Sequence, residues 1–220
     1  LPICHRVLWR LRSFGASSSA DVYRGCAAMP WEDHLLPEHP ITVRASSDAP
    51  DAGPDGRLAA LKCKDAIADR MRDRCGRRPD SGPEPRGACV FVLWRGGECR
   101  VFLDTSGVPL SFRGYRRLTV AAPMRESLAA GVLLASGWRG ERPLANPMCG
   151  SGTLAIEGAW IAMRRAPGLL RARFAFMCLR GYDDAAWRAL REEALRAARS
   201  APPAADRKST RLNSSHGSQY

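Results

Sequence analysis

The chain reads as an α+β unit followed by the first part of a parallel, doubly wound α/β unit. Three observations carry that reading. A hairpin signal, Arg95-Gly96-Gly97-Glu98 between two apolar runs, closes a mixed helix-and-strand pattern before residue 105. A glycine-rich bend, Asn146-Pro147-Met148-Cys149-Gly150-Ser151-Gly152-Thr153, sits between a short apolar approach and a helical pattern. Helical patterns then dominate from Pro123 onward, as expected where helices alternate with parallel strands.

The elements follow in order. Residues 5–14 alternate, with Val7, Leu8 and Leu11 apolar and Arg6, Arg10 and Arg12 between them, which predicts a strand. Ser18-Ser19-Ala20-Asp21 can cap a short helix running through Val22, Tyr23 and Met29. Ile41-Thr42-Val43 is a short strand, and residues 46–56 form a loop rich in Asp, Pro and Gly. Residues 58–75 read as a helix with Leu58, Leu61, Ala68 and Met71 near one face and Ile67 at its side. Lys62, Lys64, Arg70, Arg72 and Arg74 make it basic, while Asp65, Asp69 and Asp73 at helical spacing partly neutralise it.

Residues 89–93 and 100–103 are the hairpin arms, and Gly-Gly can take the positive φ of a two-residue turn. Pro123 opens a helix with Leu128, Val132 and Ala135 inward, stopped by Gly137. A short strand at Leu144 leads into the glycine-rich bend, and a helix over residues 154–165 ends at Pro167-Gly168. Residues 183–199 form a last amphipathic helix with Trp187, Leu190 and Leu195 apolar. A lone parallel strand needs partners, so the second unit is expected to be incomplete.

Both ends carry their own signals. Asp206-Arg207-Lys208-Ser209-Thr210-Arg211-Leu212-Asn213-Ser214-Ser215-His216 matches the translation of a common sequencing-library adapter, so residues 206–220 are expected to be non-native. Leu1 is not a start residue, and the chain is expected to be cut at both ends.

Composition sets looser bounds. The net charge is +12, and Arg207, Lys208 and Arg211 against Asp206 supply a net +2 of it, leaving +10. Such a balance suits a polyanionic partner, most simply nucleic acid. Codon bias is the rival reading, since only Lys62, Lys64 and Lys208 are lysine and arginine dominates. The eight cysteines form no C-x-x-C pair and the histidines lack ligand spacing, which disfavours zinc. Reduced thiols in a cytoplasmic or organellar protein fit best. No apolar run is long enough to span a bilayer.

The bend carries the chemistry. Two glycines one residue apart leave bare backbone at the positive end of the next helix, where a nucleotide-like cofactor can lie. No Lys follows the glycines, so a phosphate-cradling P-loop is excluded. Ala155 stands where a dinucleotide fingerprint has its third glycine. A ligand-free strand-to-helix turn is the bland alternative.

The Asn146–Thr153 string is similar to the first motif of S-adenosylmethionine-dependent methyltransferases acting on amino groups of bases. Further strings in order are Leu61-Lys62-Cys63-Lys64-Asp65-Ala66-Ile67-Ala68-Asp69-Arg70, Leu103-Asp104-Thr105-Ser106-Gly107, Arg113-Gly114-Tyr115-Arg116, Ala122-Pro123-Met124-Arg125-Glu126-Ser127-Leu128 and Arg165-Ala166-Pro167-Gly168. Together they resemble the THUMP-domain large-subunit rRNA guanine-N2 methyltransferases.

The resemblance implies a THUMP-type α+β RNA-binding domain over residues 1–105 and a linker over 106–122. The start of a Rossmann-like class I methyltransferase domain would follow over 123–205. It implies S-adenosylmethionine as cofactor, held by Asn146, Pro147, Cys149, Gly150, Ser151, Gly152 and Thr153. Large-subunit rRNA would be the partner, with Lys62, Lys64, Arg70, Arg113, Tyr115 and Arg116 as candidate RNA contacts. Bacterial relatives usually carry Asp where Asn146 stands, so attraction of the sulfonium at that position loses its charge. The family's Asn/Asp-Pro-Pro-Tyr/Phe motif and its ribose-binding acid do not occur in the sequence. Half a cofactor site and no catalytic residue are therefore expected. Cys149 would pack beneath the cofactor, and Glu157 would cap the cofactor or serve the structure. A noncatalytic THUMP RNA-binding module and an amino-methyltransferase on another nucleic acid are the alternatives.

Overall fold

The computed structural model describes residues 2–53, 56–84, 86–116 and 123–201. Its one sheet lies in the N-terminal half: β1 (Leu8–Gly15), β2 (Ile41–Ser47), β3 (Ala88–Arg95) and β4 (Glu98–Asp104), in the order β1-β4-β3-β2. β2 and β3 are parallel and the other pairs antiparallel. A parallel pair needs a crossover, and α2 (Arg57–Cys75) supplies it. The β3–β4 arms meet in the predicted two-residue turn, with Gly96 at φ 57° and Gly97 at φ 76°.

α1 (Ser19–Ala27) starts where its capping signal lies. Ser18 accepts from the Asp21 amide, and Asp21 accepts from the Ser18 amide, a reciprocal box that satisfies two orphan donors. α1 and α2 cover one face of the sheet. Val90, Val92 and Trp94 of β3 and Cys99, Val101 and Leu103 of β4 point into that layer. Trp31 and Trp94 are buried with their indole N–H groups satisfied, donating to Cys26 O at 2.7 Å and Ala16 O at 2.8 Å.

Several expectations need correction. β1 begins at Leu8, and its register slips between Arg10 and Arg12, so residues 5–7 lie outside the ladder. β2 runs to Ser47, and the following loop contains a short 3-10 turn, Pro50–Ala52. α2 buries Ala59, Cys63, Ala66, Ile67 and Met71, while Leu61 is 45% exposed. Close approach to α1 and β2 selects the small side chains, so the inner face is rotated from the one marked by the large apolar residues.

The C-terminal half is helical among the described residues: α3 (Glu126–Ala135), α4 (Thr153–Ala162) and α5 (Asp184–Ala197). The strand expected at Leu144 does not form, for residues 143–146 pair with nothing in the described chain. Without a sheet to cover, α3 packs on α4 through Ala129, Ala130 and Leu133, and the expected inner residues Leu128 and Val132 are exposed. α4 stops three residues early. Arg164 takes φ 53°, with Arg164 N–H to Ile161 O and Arg165 N–H to Trp160 O, a Schellman ending. On α5, Asp183 caps the Ala186 amide at 3.0 Å, and Trp187 packs edge-on against Phe176 at 4.9 Å. Leu190 and Leu195 face outward.

The described part of the expected linker, residues 106–116, is packed. Ser106, Ser111 and Arg113 are buried, and the Arg171 guanidinium donates to Ser106 O, Val108 O and Pro109 O. Residues 117–122 and the adapter-like segment 206–220 lie outside the described residues. No helix among the described residues is long and apolar enough to cross a membrane. None of the eight cysteines is in a disulfide.

Candidate cofactor-binding site

The bend at residues 146–153 is held open by its glycines. Gly150 has φ 51° and Gly152 has φ 78°, a region that side chains rarely enter. Gly152 N–H closes the turn on Cys149 O at 2.7 Å, and Gly152 O accepts from Ile156 N–H as the first bond of α4. A Cβ built on Gly150 would meet nothing within 4 Å, and one on Gly152 only Ile156 Cδ1 at 3.9 Å. The backbone of the bend is therefore open beside the start of α4, where a helix N-terminus favours an anionic or polar ligand.

One atom lacks its partner. Among the described residues Asn146 Nδ2 is buried and has no hydrogen-bond acceptor, a costly state unless a ligand acceptor completes it. Thr153 is buried, and its Oγ1 lies 3.0 Å from Ser151 Oγ. Cys149 is exposed, and Met148 is 91% exposed.

Arg116 belongs to this bend. It donates to Thr153 Oγ1 at 3.2 Å, Ser151 Oγ at 3.5 Å, Met124 O at 3.1 Å and Glu126 Oε1 at 3.3 Å. These contacts tie Arg116 to the glycine-rich bend and to the start of α3. The expectation for Arg113 is corrected. It is buried, it donates to Leu110 O and Pro2 O, and its Nε lies 3.4 Å from Glu157 Oε1. Tyr115 donates to the same Glu157 oxygen at 3.1 Å and packs edge-on against Trp160 at 5.1 Å. Glu157 thus takes the structural role. Burial raises its pKa above the ordinary value against the opposing pull of Arg113. Burial also raises the Tyr115 phenol, with Glu157 adding to it.

The basic aspect of α2 is largely spent internally. Arg70 grips Glu32 through two hydrogen bonds of 2.9 and 2.5 Å, which lower the Glu32 pKa to about 2. Arg72 pairs with Asp69 at 2.7 Å, and Lys64 lies 3.9 Å from Asp65. Lys62 is partly exposed. Arg171 was not foreseen, for nothing in an arginine-rich sequence marks one guanidinium as buried. Among the described residues no group of three or more His, Cys, Asp or Glu could hold a metal.

Known proteins match the chain in two consecutive parts. Residues 16–104 match the THUMP domain family, and residues 113–212 match the family described as RMKL-like, methyltransferase domain. A ribosomal RNA large subunit methyltransferase K/L of Psychromonas ingrahamii is 41% identical over 192 residues, which cover 86% of this chain and 25% of that protein. The namesake of Pseudomonas putida is 40% identical over 197 residues, covering 87% and 27%. The chain spans about a quarter of the length of these curated relatives. Among solved structures, a predicted N6-adenine-specific DNA methylase from Listeria monocytogenes has a TM-score of 0.78 at 29% identity, covering 90% of this chain and 52% of that one. The protein SMU.472 complexed with SAH has a TM-score of 0.76 at 29% identity, covering 89% and 52%. The chain is thus similar to the THUMP domain family over residues 16–104 and, directly after it, to the RMKL-like methyltransferase domain family over residues 113–212.

Proposed function

We propose that these residues are the RNA-binding domain and the donor loop of an enzyme that methylates the N2 of a guanine in large-subunit rRNA. S-adenosylmethionine would be the donor, and the cytoplasm the compartment. One observation carries the donor reading: Asn146 Nδ2 is buried without a partner beside the open backbone of Gly150 and Gly152. The similarity to SMU.472, crystallised with SAH, supports the same ligand class, and the names of the curated relatives support the rRNA substrate.

When bound, S-adenosylmethionine supplies a methyl group already activated for direct transfer. The residues present bind and orient. Gly150 and Gly152 let the ligand reach the α4 amides, Asn146 offers an amide donor, and Arg116 braces Ser151 and Thr153 against Glu126. Alignment of donor and acceptor is the main service a protein gives such a reaction. Guanine N2 is paired in a duplex, so the target base is taken out of its stack. A noncatalytic RNA-binding module is the second reading, favoured by the THUMP match over residues 16–104.

The test is methyl transfer from isotopically labelled S-adenosylmethionine to protein-free large-subunit rRNA by the protein at the length of its relatives. N2-methylguanosine among the digested nucleosides is the expected product. Label in DNA adenine, or no transfer, overturns the reading.

A further inference from the structure

The sheet has a second face that neither helix covers. The register carries one row across all four strands: Arg10 opposes Phe102, Phe102 opposes Phe91, and Phe91 opposes Arg44. Residues directly opposed in a ladder share a face. Phe91 and Phe102 belong to no buried cluster, and their rings lie 6.4 Å apart at 44°. Arg10 and Arg44 are exposed at the two ends of the row, and neither makes a salt bridge among the described residues, although the charge of Arg10 acts on Glu98. In the next row Arg100 opposes Leu93 and is already paired with Glu98. The turn Ala175–Cys178 packs against β3, and its Phe176 N–H reaches Thr105 O.

We infer that this row is a platform for an unpaired segment of RNA, with bases stacking on Phe91 and Phe102 and phosphates held by Arg10 and Arg44. Aromatic faces flanked by unpaired arginines suit an unstacked, polyanionic strand, because stacking and backbone charge are satisfied together. Four strands spaced about 4.8 Å apart put the end residues of the row roughly 14 Å from one another, room for two bases between two phosphates. α2 is the poorer candidate, since Arg70 and Arg72 are already paired with carboxylates. The inference rests on the RNA reading proposed above and assigns it a surface.

A labelled twelve-residue oligouridine titrated against the full chain, followed by fluorescence anisotropy over a salt series, tests it. Phe91→Leu with Phe102→Leu keeps apolar volume but removes the π-faces, and should weaken binding at least about fivefold at unchanged melting temperature. Arg10→Gln and Arg44→Gln should each reduce the salt slope by roughly 0.7. Lys62→Gln with Lys64→Gln should leave affinity within twofold. Binding that survives the leucine pair, or that is lost in the lysine pair alone, overturns the platform and leaves the RNA reading standing. Absence of RNA binding by the unaltered chain overturns both. A dimer in sedimentation that the leucine pair separates gives the face to a second copy and overturns the platform.

Discussion

Arg113 Nε lies 3.4 Å from Glu157 Oε1, and both side chains are shut away from solvent. This pair joins the segment after β4 to the first turns of α4, immediately below the donor loop. A buried pair is worth little over an apolar pair of equal volume, but breaking it is expensive because one charge is stranded. Arg113→Ala should therefore destabilise the chain by about 3–5 kcal/mol in urea titration. Arg113→Met combined with Glu157→Leu should recover most of that loss. A single substitution that costs less than 1 kcal/mol would show that the pair is solvated.

Two glutamates should respond to acid in opposite senses. Hydrogen bonds from Arg70 hold Glu32 at about 2, below its ordinary 4.5, so its stabilisation is complete above pH 4.5 and fades as the pH falls toward 2. Burial raises Glu157 above 4.5, so between that value and its folded pKa the folded state holds the extra proton. Stability from this group falls as the pH rises through that window. Glu32→Gln should flatten the acid limb of a stability–pH curve, and Glu157→Gln should remove the loss on its rising side. Identical curves for both variants would contradict the assignment.

Much of the N-terminal half was legible because its signals are local. Ser18 with Asp21 marks a helix start, Gly96-Gly97 marks a tight hairpin, and the apolar runs on either side of it mark β3 and β4. Which face of α2 is buried was not legible, since Ala59, Cys63 and Ala66 are chosen by the distance to α1 and not by their own hydrophobicity. In the C-terminal half the glycine-rich bend was visible from Gly150 and Gly152, but the partners of Arg113, Tyr115 and Arg116 were not. Each side chain reaches across at least ten residues of sequence, and charge alone suggested RNA where burial gives Glu157 and the loop hydroxyls. Leu128 and Val132 misled because inward-facing apolar residues presuppose a sheet that residues 143–146 do not join.

Gly152 should be intolerant for backbone reasons alone. Its φ of 78° excludes most side chains, while a Cβ there would meet only Ile156 Cδ1 at 3.9 Å. Gly152→Ala should cost about 1–2 kcal/mol, and Gly152→Asn distinctly less, since Asn enters the left-handed region more readily. Equal losses for both in thermal unfolding would locate the problem in space and not in φ.

Asn146 offers the sharpest separation of binding from folding. Its Nδ2 is buried without an acceptor, which costs the folded chain about 1–3 kcal/mol of desolvation. A structural asparagine would lose stability on truncation. If the orphan donor is reserved for a ligand, Asn146→Ala leaves stability unchanged or raises it, while the affinity for S-adenosylhomocysteine drops in the protein at the length of its relatives. Denaturant titration of this chain and calorimetry on the longer protein read the two effects separately. Destabilisation with unaltered ligand affinity would return Asn146 to an ordinary packing role and take away the main support for the donor site.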